Sequence, residues 1–193
     1  MKICVYGAAS SEIDKSFIEA GEDLGRKIAE RGHSLVFGGG NNGMMGAVAR
    51  GVTDKRGNII GIAPKFFEEN NAEISYSGCS KFIRTETMRE RKRLLDEESD
   101  AFIISPGGVG TFDEFFEILT LKQLGRHNKA IVIFNINNFF DEMASVLYKM
   151  VQGRFISKDC AELCKVCTSA DEVLDYIESY NPKDIDISKV KIR

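Results

Sequence analysis

Short apolar runs of strand length alternate with segments of helical period along nearly the whole chain, and few architectures accommodate that alternation. Residues 2–6, 35–37, 58–63, 101–105 and 130–134 are largely apolar on consecutive positions, the pattern of strands buried on both faces. Between the first two runs, Phe17, Ala20, Leu24 and Ile28 recur at spacings of three and four, as the buried stripe of a helix does. Together these features predict an α/β fold, a doubly wound parallel sheet with helices on both faces.

The remaining elements follow the same alternation. Gly32 is placed to close the first helix, and helices are expected over 44–50, 87–98, 111–124 and 139–151. Phe112, Phe115, Phe116 and Leu119 mark the apolar side of the helix over 111–124. A short strand is expected near Phe82 and a last one over 163–167, followed by a helix that Thr168 or Ser169 caps. Residues 64–78 follow no period and read as a surface excursion or lid. A chain of 193 residues suits one domain, here 1–180, with 181–193 as a tail.

Composition narrows the function classes. Lys and Arg number 26 against 29 Asp and Glu, a formal charge of −3, so the basic excess that binding a nucleic acid polymer requires is missing. No run approaches the roughly 18 consecutive apolar residues of a membrane span. Residues 1–7 read as a strand entering a turn rather than a secretory signal, and the five cysteines form no compact disulfide framework. A cytoplasmic protein with reduced thiols is the expectation.

In a doubly wound sheet, ligands bind beyond the carboxyl ends of the strands. The loop after the 101–105 strand is Pro106-Gly107-Gly108-Val109-Gly110-Thr111, followed by Phe112-Asp113-Glu114. Three glycines leave backbone N–H groups bare before a helix N-terminus, which suits a phosphate. A tight turn with a capping box between Thr111 and Glu114 would explain the Thr and the Glu, but not three glycines behind a proline. Gly38-Gly39-Gly40-Asn41-Asn42-Gly43 fits G-x-G-x-x-G, yet the acidic residue expected about 20 positions on is missing, which argues against a dinucleotide such as NAD. This loop reads either as a second cradle for a mononucleotide or as close helix-to-strand packing.

On the 87–98 helix, Met88, Arg91 and Leu95 share one face, which puts Arg91 in an apolar stripe where it needs an anionic partner. Arg89 and Arg93 read as a solvated face. Cys160, Cys164 and Cys167 match an iron–sulfur spacing, but on a strand Cys164 and Cys167 point to opposite faces, so they read as core cysteines. His33 and His127 follow helix ends, and neither a zinc set nor a Ser-His-Asp triad is present in the sequence.

With Phe37 to Gly40, Met88, Arg91-Lys92 and Pro106 to Glu114 in this order, the chain resembles the Lonely Guy (LOG) family of cytokinin-activating nucleotide phosphoribohydrolases, long mislabelled as lysine decarboxylases. The resemblance covers about residues 2 to 180 and both signature motifs, P-G-G-x-G-T-x-x-E and the R-K pair. It implies a Rossmann-like fold in a homodimer, with the site near the subunit interface. The implied reaction is hydrolysis of the N-glycosidic bond of a nucleoside 5′-monophosphate, AMP or an N6-modified adenine nucleotide, without a cofactor or metal.

By position, the resemblance implies Arg91 and Glu114 as the catalytic pair and Gly107, Gly108, Gly110 and Thr111 as the phosphate cradle. Gly39, Gly40, Met88 and Lys92 would complete the nucleotide pocket. Two departures bear on base preference: Arg89 stands where many relatives carry His, and Gly7-Ala8-Ala9-Ser10-Ser11 stands where relatives often carry Cys-Gly-Ser-Ser. A non-catalytic nucleotide sensor or carrier is the competing reading, and it has no use for a carboxylate beside a phosphate. Amino-acid decarboxylation would need pyridoxal phosphate and a Schiff-base lysine, for which the sequence has no convincing candidate.

Overall fold

The structure, a computed structural model, describes residues 1–69, 74–182 and 190. In chain order its elements are β1 (Lys2–Tyr6), α1 (Lys15–Glu30), β2 (Ser34–Phe37), α2 (Gly43–Asp54), β3 (Ile59–Pro64), α3 (Lys65–Glu69), β4 (Lys81–Thr85) and α4 (Met88–Glu97). There follow β5 (Ala101–Ile104), α5 (Val109–Gln123), β6 (Ala130–Phe134), α6 (Asp141–Gln152), α7 (Lys158–Ala161), β7 (Lys165–Cys167) and α8 (Ala170–Ser179). The strands form one sheet in the order β4-β3-β2-β1-β5-β6-β7, and every pairing is parallel.

The period of two along each strand divides the core into two layers. Ile3, Val5, Ala101 and Ile103 face α1, α2 and α8, with Leu24, Val48 and Val173 packed on them. Cys4, Tyr6, Phe102 and Ile104 face the other side, against Leu95 of α4, Phe115 of α5 and Met143 of α6. Both faces of the central strands are thus covered, which is why their sequences are apolar throughout. From β1 the chain runs outward to β4, then returns to lay β5 on the free side of β1. Strand order thus reverses between β1 and β5, and in such a sheet the ligand crevice lies beyond the carboxyl ends of these two strands.

Several expectations change in the structure. α5 starts at Val109 with Gly108 as its N-cap, so Thr111 lies inside the helix and the capping box does not form. The Thr111 amide donates to the Gly108 carbonyl at 3.0 Å, which starts the helix two residues early. Phe116 is 38 % exposed on α5, whereas Phe115, Ile118 and Leu119 carry the core contact. Part of the 64–78 excursion is regular: Pro64 ends β3 and α3 follows directly, while 70–73 lie outside the described residues. The helix expected from 139 begins at Asp141 after a 3-10 turn over Ile136–Asn138. Most of the 181–193 tail also lies outside the described residues.

The last strand is shorter than expected, because the single turn α7, capped by Ser157, occupies the chain just before it. Cys164 nevertheless packs on one core layer and Cys167 in the other, as strand parity requires. Ser169 caps α8, accepting the Glu172 amide. His127 is partly buried behind α5, with Nε2 2.8 Å from the Ile118 carbonyl.

Lys122, near the end of α5, is 2 % exposed. Its Nζ donates to the carbonyls of Lys129 at 2.8 Å and Leu163 at 2.9 Å, tying α5 to the approaches of β6 and β7. Burial pushes its amine down from 10.5 to about 8. Between these values the unfolded chain keeps a proton that the folded state has lost, so stability rises with pH across that window. Urea unfolding of wild type and Lys122→Met from pH 7.5 to 10.5 is expected to show the wild type gaining on the variant as pH rises. A constant difference would mean that the amine titrates alike in both states.

Candidate active site

The α4 N-terminus is set by Thr87, whose hydroxyl accepts the Glu90 amide at 3.1 Å, while Glu90 Oε2 accepts the Glu86 amide at 2.9 Å. One turn in, Arg91 turns toward the sheet and is only 6 % exposed. Its Nη1 donates to Glu114 Oε1 at 2.9 Å and its Nε to the Ile62 carbonyl at 3.3 Å. A Cβ on Gly38 would lie 2.3 Å from Arg91 Nη2, so the glycine after β2 is what admits the guanidinium. The Phe67 ring lies 5.9 Å from the guanidinium carbon. Glu114 faces Arg91 from α5 and is itself 7 % exposed, which makes the two a buried ion pair joining α4 to α5.

The loops after β1 and β5 are stitched together, with the Ala8 amide donating to the Pro106 carbonyl at 3.0 Å. A Cβ on Gly107 would lie 2.1 Å from Thr111 Oγ1, so packing requires glycine there. Gly108 and Gly110 are different. A Cβ at either would meet nothing within 4 Å, and neither has a positive φ. The fold places no demand for glycine at these two positions, yet both line a cavity at the uncapped N-terminus of α5.

That cavity measures about 280 Å³. It brings together Arg91, Glu114, Thr111, Gly108, Gly110 and Met88 from the predicted set. It adds Gly7, Ala8 and Ala9 from the β1 loop, with Met45 and Phe67, none of which the sequence motifs singled out as binding residues. The β1 loop was within reach of sequence reasoning, because it flanks the point where strand order reverses. Met45 and Phe67 carried no such signal.

Four predicted residues are not in this lining. The Gly39 carbonyl accepts the Tyr76 amide at 2.8 Å and Gly40 bridges Ser75, so both are buried under the incoming chain. Gly107 faces a second, apolar cavity with Phe17 and Phe139. Lys92 Nζ pairs with Asp113 at 3.1 Å and Glu117 at 2.5 Å, on the seam between α4 and α5. Of the two departures, Arg89 is exposed and outside the lining, whereas Ala8 and Ala9 are part of it.

A family model described as "Possible lysine decarboxylase" matches residues 45–177. A cytokinin riboside 5′-monophosphate phosphoribohydrolase of Arabidopsis thaliana is 34% identical over 190 residues, covering 98% of this chain and 88% of that protein. The chain belongs to the LOG family. The LOG enzyme of that name from Oryza sativa subsp. japonica is likewise 34% identical, over 182 residues, covering 94% of this chain and 74% of that protein. The LOG fold extends further: a Moco carrier protein from Chlamydomonas reinhardtii superposes with a TM-score of 0.68 at 20% identity, covering 92% of this chain and 94% of that one.

The older family description does not suit the residues present. Among the described residues the cavity lining holds no lysine. The one fully buried lysine among the described residues, Lys122, lies near the opposite end of α5 with its amine bonded to two carbonyls. Among the described residues, this lining therefore offers no Schiff-base partner for pyridoxal phosphate. Nor, among the described residues, do three or more His, Cys, Asp or Glu gather as a metal site.

Proposed function

We propose that this LOG-family chain is a nucleotide N-glycosidase, which hydrolyses a nucleoside 5′-monophosphate to the free base and ribose 5-phosphate. The observation that carries the reading is the buried Arg91–Glu114 pair opening onto the same cavity as the bare N-terminus of α5. Gly110 and Glu114 are four residues apart on one helix, about 6 Å along its axis, which is the span of a pentose. A phosphate on the Gly108 and Gly110 amides then leaves the anomeric carbon beside the carboxylate. Met45, Met88 and Phe67 offer apolar, polarizable walls for the base.

In this arrangement the C1′–N bond breaks with development of an oxocarbenium-like charge, which the Glu114 carboxylate stabilises while orienting a water for attack. Arg91 holds that carboxylate in one orientation and presents the rest of its fork of donors to the substrate. AMP and N6-modified adenine nucleotides are the substrates that the named relatives suggest. A carrier would hold its phosphate better without a buried carboxylate nearby. Val109 and Phe116, seven residues apart on α5 and 88 % and 38 % exposed, provide an apolar face for a second copy, in keeping with a homodimer.

The deciding assay is chromatography of free base released from AMP and from isopentenyladenosine monophosphate, with the corresponding nucleosides as controls. Release from the monophosphates alone is the expected result. Nucleotide binding with no release of base would leave only the sensor or carrier.

A further inference from the structure

A third cavity, of about 170 Å³, lies on the seam between α4 and α5, and among the described residues it shares Glu114 alone with the Arg91 cavity. Tyr6 and Ile118 line its inner part; Lys92, Asp96, Glu117 and Leu121 line the part toward the surface. It reaches solvent beside Arg93, whose side chain is 57 % exposed. The ammonium of Lys92 spans Asp113 and Glu117 there, with 20 % of its side chain exposed. This cavity is polar at its mouth, so waters in it have hydrogen-bond partners, and its volume holds several at about 30 Å³ each.

We propose that this rear cavity is the port through which the attacking water reaches Glu114 while a nucleotide fills the front cavity, with Lys92 as the residue that narrows it. The inference rests on the N-glycosidase reading. Each turnover consumes one water, and the front cavity of about 280 Å³ is small enough for a nucleotide to fill. Glu114 lines the rear cavity as well as the front one. In the step itself, the C1′–N electron pair leaves with the base, which takes up a proton from solvent water, balanced by the one that the attacking water releases. The water oxygen forms the new bond to C1′, and its proton passes to the Glu114 carboxylate and then to water in the port. Lys92 acts through this opening and not on the bound nucleotide.

The test uses a nucleophile of a different size. In water–methanol mixtures, the products from AMP are ribose 5-phosphate and methyl ribofuranoside 5-phosphate, separable by chromatography. Leu121→Phe narrows the port and is expected to lower kcat and to cut the methyl share at least threefold. Lys92→Ala widens it and is expected to raise that share at least threefold, with KM for AMP unchanged. Equal shares in the three folded proteins overturn the port, as does the absence of methyl product from both wild type and Lys92→Ala. A severalfold rise in KM for Lys92→Ala at a constant share also overturns it and returns Lys92 to the nucleotide pocket. If wild type releases no base at all, the N-glycosidase reading is what fails.

Discussion

Glu114→Gln is expected to lower kcat for base release from AMP by about 10²–10⁴-fold, the range associated with a positioned acid–base group. Gln matches Glu in size, and its amide oxygen can still accept the Arg91 Nη1 donor that Glu114 Oε1 now accepts at 2.9 Å. The pocket shape is therefore preserved while the negative charge that the proposed mechanism sets against an oxocarbenium-like centre is lost. Affinity for AMP is expected to hold or tighten, because the variant removes a charge that repels the phosphate. Chromatographic rates at saturating AMP, with calorimetric binding and circular dichroism on the same samples, separate these effects. Retention of more than a tenth of the wild-type kcat would remove Glu114 from the chemistry.

Arg91→Met should cost about 3–5 kcal/mol of stability, the range for breaking a buried ion pair from one side. Met keeps much of the apolar stem of Arg, so packing against α4 and α5 changes little. The cost arises because Glu114, 7 % exposed, is left as a buried charge without its guanidinium. Adding Glu114→Gln to Arg91→Met is therefore expected to restore part of the lost stability while activity stays absent. Urea unfolding of the two single variants and the double variant gives the coupling directly. If the double variant is as unstable as the sum of the singles, the pair contributes nothing as a pair, and the argument for a rigidly held carboxylate falls with it.

The prediction of a parallel sheet covered on both faces held because its warrant is local. Consecutive apolar residues at Ile3 to Tyr6 or Ala130 to Phe134 can be buried on both faces only in a strand sandwiched between helices. Element ends were less legible. Where α5 starts depends on the Gly108 carbonyl, which accepts from both Thr111 and Phe112, and no side chain announces that. The Thr-x-x-Glu spacing that looked like a cap lies instead within the helix, with Glu114 turned to Arg91.

The site divides along the same line. A lone Arg in the apolar stripe of Met88 and Leu95 demanded an anionic partner, and a glycine-rich loop before a helix announced an anion cradle; both inferences needed only neighbouring residues. That Glu114 is the partner, across 23 residues, depended on the sheet setting α4, packed on β3, beside α5, packed on β1. Lys92 shows the limit most clearly. A helix turns about 100° per residue, so Arg91 and Lys92 point in different directions, and only the packing of α4 against α5 decides which one enters the front cavity. Residue chemistry and local period were thus determined by the sequence alone. Which side of a shared helix seam each charge occupies was decided by tertiary structure, because that choice belongs to two helices at once and neither segment encodes it.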